Sequence, residues 1–141
     1  MVKSLPSRRA DVFFYGLFMD QDLLRGNGLA PESPELASVP GMALRIGQRA
    51  ALVPQAASRV YGVVMSLTLA ELERLYSEPS VQGYKPQAVL AHLANGGVIA
   101  ALCYNLAEPP LPTEHNPEYA TKLRAVGHKV GLPTEYISSL Q

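Results

Sequence analysis

The sequence predicts an α+β fold, a small mixed β-barrel with flanking helices. Strand-like segments outnumber helical ones, and several connections are hairpin-like. The clearest strand, Arg59–Leu67 (RVYGVVMSL), is apolar on both faces and so belongs in the middle of a sheet. The order is strand, helix, strands, helix, hairpin, helix, which argues against a doubly wound fold. No linker, repeat or low-complexity segment divides the 141 residues. The chain therefore reads as one domain, with a core over 11–106 and a C-terminal helix and tail over 107–141.

Residues 1–10 read as a polar, loosely held lead-in. Asp11–Gly16 (DVFFYG) is rich in β-formers and ends at a glycine, so it is a strand. Asp20 caps a short helix, Gln21–Arg25, which stops at Gly26-Asn27-Gly28. Residues 29–38 contain Pro31 and Pro34 and read as a loop. Gly41–Gly47 and Ala50–Val53 read as strands, with a turn between Pro54 and Ser58. After Arg59–Leu67, Thr68 and Glu71 form a capping box for a helix over Leu69–Tyr76. Pro79 disfavours helical geometry at Glu78, which ends that helix at about Ser77.

Gln87–Leu93 and Val98–Leu106 are two strands joined by the hairpin turn Asn95-Gly96-Gly97. Residues 107–116 hold three prolines and run over the surface. Asn116 then caps a helix with Pro117 at its first position. Tyr119, Leu123, Val126 and Val130 fall on one stripe of it, and Gly131 closes it. Leu132–Leu140 is a tail with a helical turn after Pro133.

Composition narrows the function classes. The hydrophobic fraction is 48% and the charged fraction 17%, as in a globular chain. Twelve Lys+Arg balance twelve Asp+Glu, and no basic stripe is visible. That argues against nucleic acid and against anionic membrane surfaces as partners. Near-zero charge leaves self-association open, so a monomer or a homodimer is expected. Cys103 is the only cysteine, which excludes an intrachain disulfide and a cysteine-based zinc site. No signal peptide or transmembrane run is visible, so the chain reads as cytoplasmic. No Walker A, G-x-G-x-x-G or G-x-S-x-G sequence occurs. His92, His115 and His128 lie at no metal-ligand spacing and read as surface residues, His115 also as a shaper of its loop. No cofactor or metal is expected.

The remaining constellation has several parts. At Tyr15-Gly16-Leu17-Phe18-Met19 a strand ends in glycine, where successive N–H groups can form a nest for a carbonyl oxygen or an anion. Glu78 stands among Leu75, Tyr76 and Pro79 at a predicted helix C-terminus. Burial and the dipole there both raise a carboxyl pKa, which suits a general base. Tyr84 and Tyr104 lie near strand ends, where sites are built, whereas Tyr61 reads as core. Arg45 or Arg49 can pair with a substrate carboxylate or lie on the surface.

Taken in order, strand-Tyr-Gly, then R-V-Y-G-V-V about forty-five residues on, a short helix, a glutamate and Y-K-P, the chain resembles the γ-glutamylcyclotransferase-like (AIG2-like) superfamily over about Val12 to Leu106. The resemblance implies a small mixed β-barrel with a pocket beside the Tyr-Gly turn. It implies Tyr15, Gly16, Leu17 and Phe18 as the substrate-holding turn, with Tyr84 and Tyr104 as pocket walls or hydroxyl donors. It implies Glu78 as the acid/base that lets a γ-glutamyl compound cyclise to 5-oxoproline without cofactor. Leu17 stands where the family has Ser, Thr or Asn. Leu75-Tyr76-Ser77-Glu78-Pro79-Ser80 replaces L-D-x-x-E-G with the glutamate one place early.

Three functions remain open. One is a γ-glutamylcyclotransferase-type enzyme acting on a γ-glutamyl amino acid, amine or peptide. Another is a non-catalytic protein binding a small ligand on the same fold. The third is an interaction protein acting through the C-terminal helix.

Overall fold

The computed structural model describes residues 8–141. Most of the polar lead-in expected over 1–10 falls outside them, and Arg9 and Ala10 already belong to the first strand. Five strands close a barrel: β1 (Arg9–Phe14), β2 (Glu32–Ile46), β3 (Ala50–Thr68), β4 (Tyr84–Leu93) and β5 (Val98–Leu106). Their order around it is β1-β3-β2-β4-β5. All pairings are antiparallel except the closing one, where Val12 of β1 meets Leu102 of β5 in parallel. The expected mixed barrel is present.

Alternation along the strands builds two cores from one wall. Phe13, Val60, Val64, Ala91 and Cys103 face one cluster. Val12, Phe14, Val63, Met65 and Leu67 face the other, together with residues of the helices. This is why Arg59–Leu67 reads as apolar on both faces. It lies within β3, between β1 and β2. Gly62 is needed at the crossing, since a Cβ there would stand 2.1 Å from the Phe14 carbonyl oxygen.

The helices are α1 (Gln21–Gly26), α2 (Leu69–Leu75), α3 (Pro117–Val130) and α4 (Thr134–Ser138). Asp20 caps α1 by accepting from the Asp22 amide. Thr68 and Glu71 form the expected box on α2. Asn116 caps α3 through the Tyr119 amide, and Gly131 ends it in the left-handed conformation. Ala120 and Leu123 of α3 and Ile137 of α4 are buried in the outer core. The C-terminal helix is thus part of the packed body.

Two expectations are corrected. Residues 32–38 are strand and not loop, because a register irregularity between Glu32 and Glu35 accommodates Pro34. The turn over Pro54–Ser58 is replaced by a break inside one long strand. Met42 pairs with Pro54 and Pro40 with Arg59, so residues 55–58 bulge out opposite Gly41 alone.

Candidate functional site

Where β1 ends, Gly16 leads into a 3-10 turn, Leu17–Met19, that brings the chain across the barrel rim toward α3. Asp20 and Met19 donate back to the carbonyls of Leu17 and Gly16. The Leu17 and Phe18 amides, at the start of the turn, have no acceptor within it. Gly16 is required here by close approach, since its φ of −114° suits any residue. A Cβ on it would lie 2.6 Å from the Tyr119 hydroxyl, which α3 delivers to this point.

A cavity of about 290 Å³ opens beside this turn. Tyr15, Gly16, Leu17 and Phe18 line one side, and Tyr76, Tyr84, Tyr104 and Tyr119 line much of the rest. The walls are tightly set. Tyr76 and Tyr104 stack at 3.8 Å with an interplanar angle of 8°. Phe18 meets Tyr76 edge-on at 6.0 Å. Tyr15 donates to the Tyr104 carbonyl at 2.8 Å, and Tyr84 donates to the Ala50 carbonyl. The Asn105 side chain bonds both backbone groups of Leu52, fastening β5 to β3 beneath them.

Arg49, in the turn between β2 and β3, is the only residue of formal charge in the lining among the described residues. Its guanidinium lies 5.3 Å from the centroid of the Tyr84 ring and donates to the Gln82 carbonyl. The turn that carries it is tied down in its own right, because Glu114 accepts from the Gln48 amide at 3.0 Å.

Burial dominates the electrostatics. It pushes the phenols of Tyr15, Tyr76, Tyr84, Tyr104 and Tyr119 up, so all stay protonated through neutral pH. Neighbouring phenols reinforce this for Tyr15 and Tyr119, whereas the Leu17 amide beside the Tyr119 oxygen works against it. Burial also pushes the Cys103 thiol up to about 12, which leaves it inert. Among the described residues the lining contains no carboxylate and no histidine.

The residues expected from sequence are thus divided. The turn from Tyr15 to Phe18, Tyr84 and Tyr104 come together at one cavity. Arg45 does not join them. It is exposed and lines a separate groove with Arg59, Glu114 and Leu140, and Arg49 takes the place by the cavity. The expected burial of Glu78 is not met: its side chain is exposed and outside the lining, although Tyr76 and Ser80 on either side belong to it. The physical reason is that α2 stops at Leu75, before the dipole reaches Glu78. Glu78 precedes Pro79 in extended backbone, with no capping hydrogen bond. Its apolar neighbours Leu75 and Tyr76 turn inward and leave it outside.

Tyr61 packs on Tyr136 instead, 5.0 Å away, in the outer core. His92 is half-buried on β4, and His115 and His128 are exposed. Tyr76 and Tyr119 were not anticipated as site residues. The only sequence signal for Tyr119 was its place on the apolar stripe, which speaks of burial and not of a hydroxyl at Gly16. Among the described residues no group of three or more His, Cys, Asp or Glu is placed to hold a metal, and no helix is long and apolar enough to cross a membrane.

Comparison with known proteins places this geometry. The family model described as gamma-glutamyl cyclotransferase, AIG2-like matches residues 12–123 and so reaches into α3, beyond the Val12–Leu106 span of the sequence resemblance. No curated protein matches by sequence. Among solved structures, one described as gamma-glutamyl cyclotransferase superposes with a TM-score of 0.74 at 18% identity, covering 95% of this chain and 89% of that one. The uncharacterized protein loc79017 from Homo sapiens gives 0.74 at 21% identity, covering 96% and 89%. YkqA from Bacillus subtilis gives 0.76 at 19% identity, covering 98% of this chain and 57% of that one. At these identities the likeness is one of fold.

Proposed function

The chain belongs to the gamma-glutamyl cyclotransferase, AIG2-like family, and on that footing we propose that its cavity holds a small γ-glutamyl-type molecule. One observation carries the reading: a mostly aromatic cavity in which Arg49 is the only formal charge among the described residues. A ligand with an apolar or extended body and one carboxylate matches that lining, the carboxylate at Arg49 and the body between the rings. A volume of about 290 Å³ suits a small metabolite. Because no carboxylate or histidine among the described residues lines the cavity, recognition is the function that its geometry supports best.

Turnover is the second reading. It is favoured by the family and by the position of Glu78 between the lining residues Tyr76 and Ser80. In that reading the exposed carboxylate swings inward and takes a proton from the substrate α-amino group. The freed nitrogen attacks the γ-carbonyl carbon, the bond to the leaving amine breaks, and the proton passes to that amine. The products are 5-oxoproline and an amine or amino acid.

Calorimetric titration with γ-glutamyl amino acids, γ-glutamyl amines, glutathione and 5-oxoproline tests the first reading. Saturable binding is expected for at least one of them, weakened about tenfold in Arg49→Ala, the change worth about 1.4 kcal/mol. Absence of binding by the wild type at millimolar ligand removes the reading. Release of 5-oxoproline, lost in Glu78→Gln, puts the second reading ahead.

A further inference from the structure

The cavity tyrosines differ in what their hydroxyls are committed to. Tyr15 has given its hydrogen to the Tyr104 carbonyl, and Tyr84 has given its own to the Ala50 carbonyl. Tyr76 and Tyr104 present stacked ring faces. Tyr119 is fixed from the other side. Its oxygen lies against Gly16, in a gap that only the absence of a Cβ leaves open. Among the described residues no acceptor takes its hydrogen, and the residue lines the cavity. The oxygen is therefore positioned while its hydrogen is available to whatever occupies the space beside it.

We infer that Tyr119 is a specificity-determining residue, whose hydroxyl donates to the acyl oxygen of the bound molecule. This rests on the γ-glutamyl reading of the cavity and deepens it. Burial keeps the phenol protonated, so the donor persists across the neutral range. No side-chain hydroxyl is needed at Leu17 where Tyr119 supplies one from α3, 102 residues further along the chain. The side chain makes Tyr119 a reader of the ligand's carbonyl and Arg49 a reader of its charge.

Two ligands isolate the effect. 5-Oxoproline and L-proline share a ring and a carboxylate and differ in the lactam oxygen and in the basicity of the nitrogen. N-acetyl-L-proline, which restores an acyl oxygen outside the ring, controls for basicity. Wild-type protein is expected to prefer 5-oxoproline to proline. Tyr119→Phe, which preserves the packed ring, is expected to weaken 5-oxoproline about three- to tenfold, the range of one neutral hydrogen bond, and to leave proline unchanged. Replacing Tyr119 in otherwise wild-type protein by 3-fluorotyrosine, a stronger donor, is expected to tighten 5-oxoproline alone, a readout that does not depend on the Phe variant folding. Equal affinities in wild type, Tyr119→Phe and the fluorinated protein overturn the assignment and leave the cavity reading standing. Failure of the wild type to bind 5-oxoproline or any γ-glutamyl compound overturns the cavity reading, and this assignment with it.

Discussion

At Gly16 the chain passes so close to Tyr119 that a Cβ would lie 2.6 Å from its hydroxyl, whereas at Glu78 the chain is open to solvent. Both residues sit on short segments that help to bound the same cavity, and both stand out in the sequence. What separates them is how many elements hold each one. The Gly16 turn is held between the end of β1, the Tyr15 bond to β5 and the helix α3. Glu78 is held by no side-chain hydrogen bond among the described residues and follows a helix that has already ended. The turn beside the cavity is therefore built into the packed body, while Glu78 is left to a surface segment.

The sharpest way to break the first half of this contrast is Gly16→Val. The added carbons would drive Tyr119 out of its gap, at an overpacking cost of about 1–3 kcal/mol. Ligand affinity is expected to fall on the order of a hundredfold, about 3 kcal/mol, as turn and hydroxyl separate. Gly26→Ala is the control, because a Cβ at Gly26 meets nothing within 4 Å. Affinity measured by titration alongside thermal melting separates the two variants. Equal affinity in Gly16→Val and wild type would mean that the close approach plays no part in binding.

Glu71 probes the support on which the other segment begins. It accepts from the Thr68 amide at 2.8 Å and from the Ala30 amide at 2.7 Å, and so ties α2 to the chain leading into β2. Burial acts to raise its pKa, but the bonds from Thr68 and Ala30 outweigh it and hold the carboxyl below its ordinary value. A carboxyl depressed in the folded state contributes stability above its unfolded pKa of about 4.3, and that contribution fades as pH falls through the folded value. Glu71→Gln is expected to cost about 1 kcal/mol at pH 7, in the range of a lost cap. The gap to wild type in denaturant melts should narrow as pH falls below the unfolded value and through the depressed folded one. A gap that does not narrow on acidification would assign the loss to packing and not to the charge.

Periodic and local signals were the legible part of this molecule. The capping box at Thr68 and Glu71, the Asn116 cap and the stripe of α3 need only residues a few positions apart, and all appear. Prolines misled the reading of β2 and β3, because proline argues against a regular ladder and the ladder here is irregular where they occur. The site was half legible. A glycine after an apolar strand marks a turn, but nothing local says that a tyrosine of the C-terminal helix will fill it. The expected burial of Glu78 failed for the same reason in reverse. Apolar neighbours in sequence imply burial only if the side chain shares their face, and extended backbone before Pro79 sends it elsewhere.

Glu78→Gln carries the smallest expected effect and decides most about the second half of the contrast. The substitution keeps the size of the side chain and removes its charge. At an exposed position it should change stability by less than about 0.5 kcal/mol. Ligand affinity should change by less than about twofold, the same energy expressed as a ratio. If recognition is the whole function, wild type and variant behave alike both in titration and in an assay for 5-oxoproline. If the variant binds as the wild type does but loses turnover that the wild type has, the carboxylate must enter the cavity when ligand arrives. The openness at Glu78 would then be the property that lets it move, and the fixed turn at Gly16 the surface against which it works.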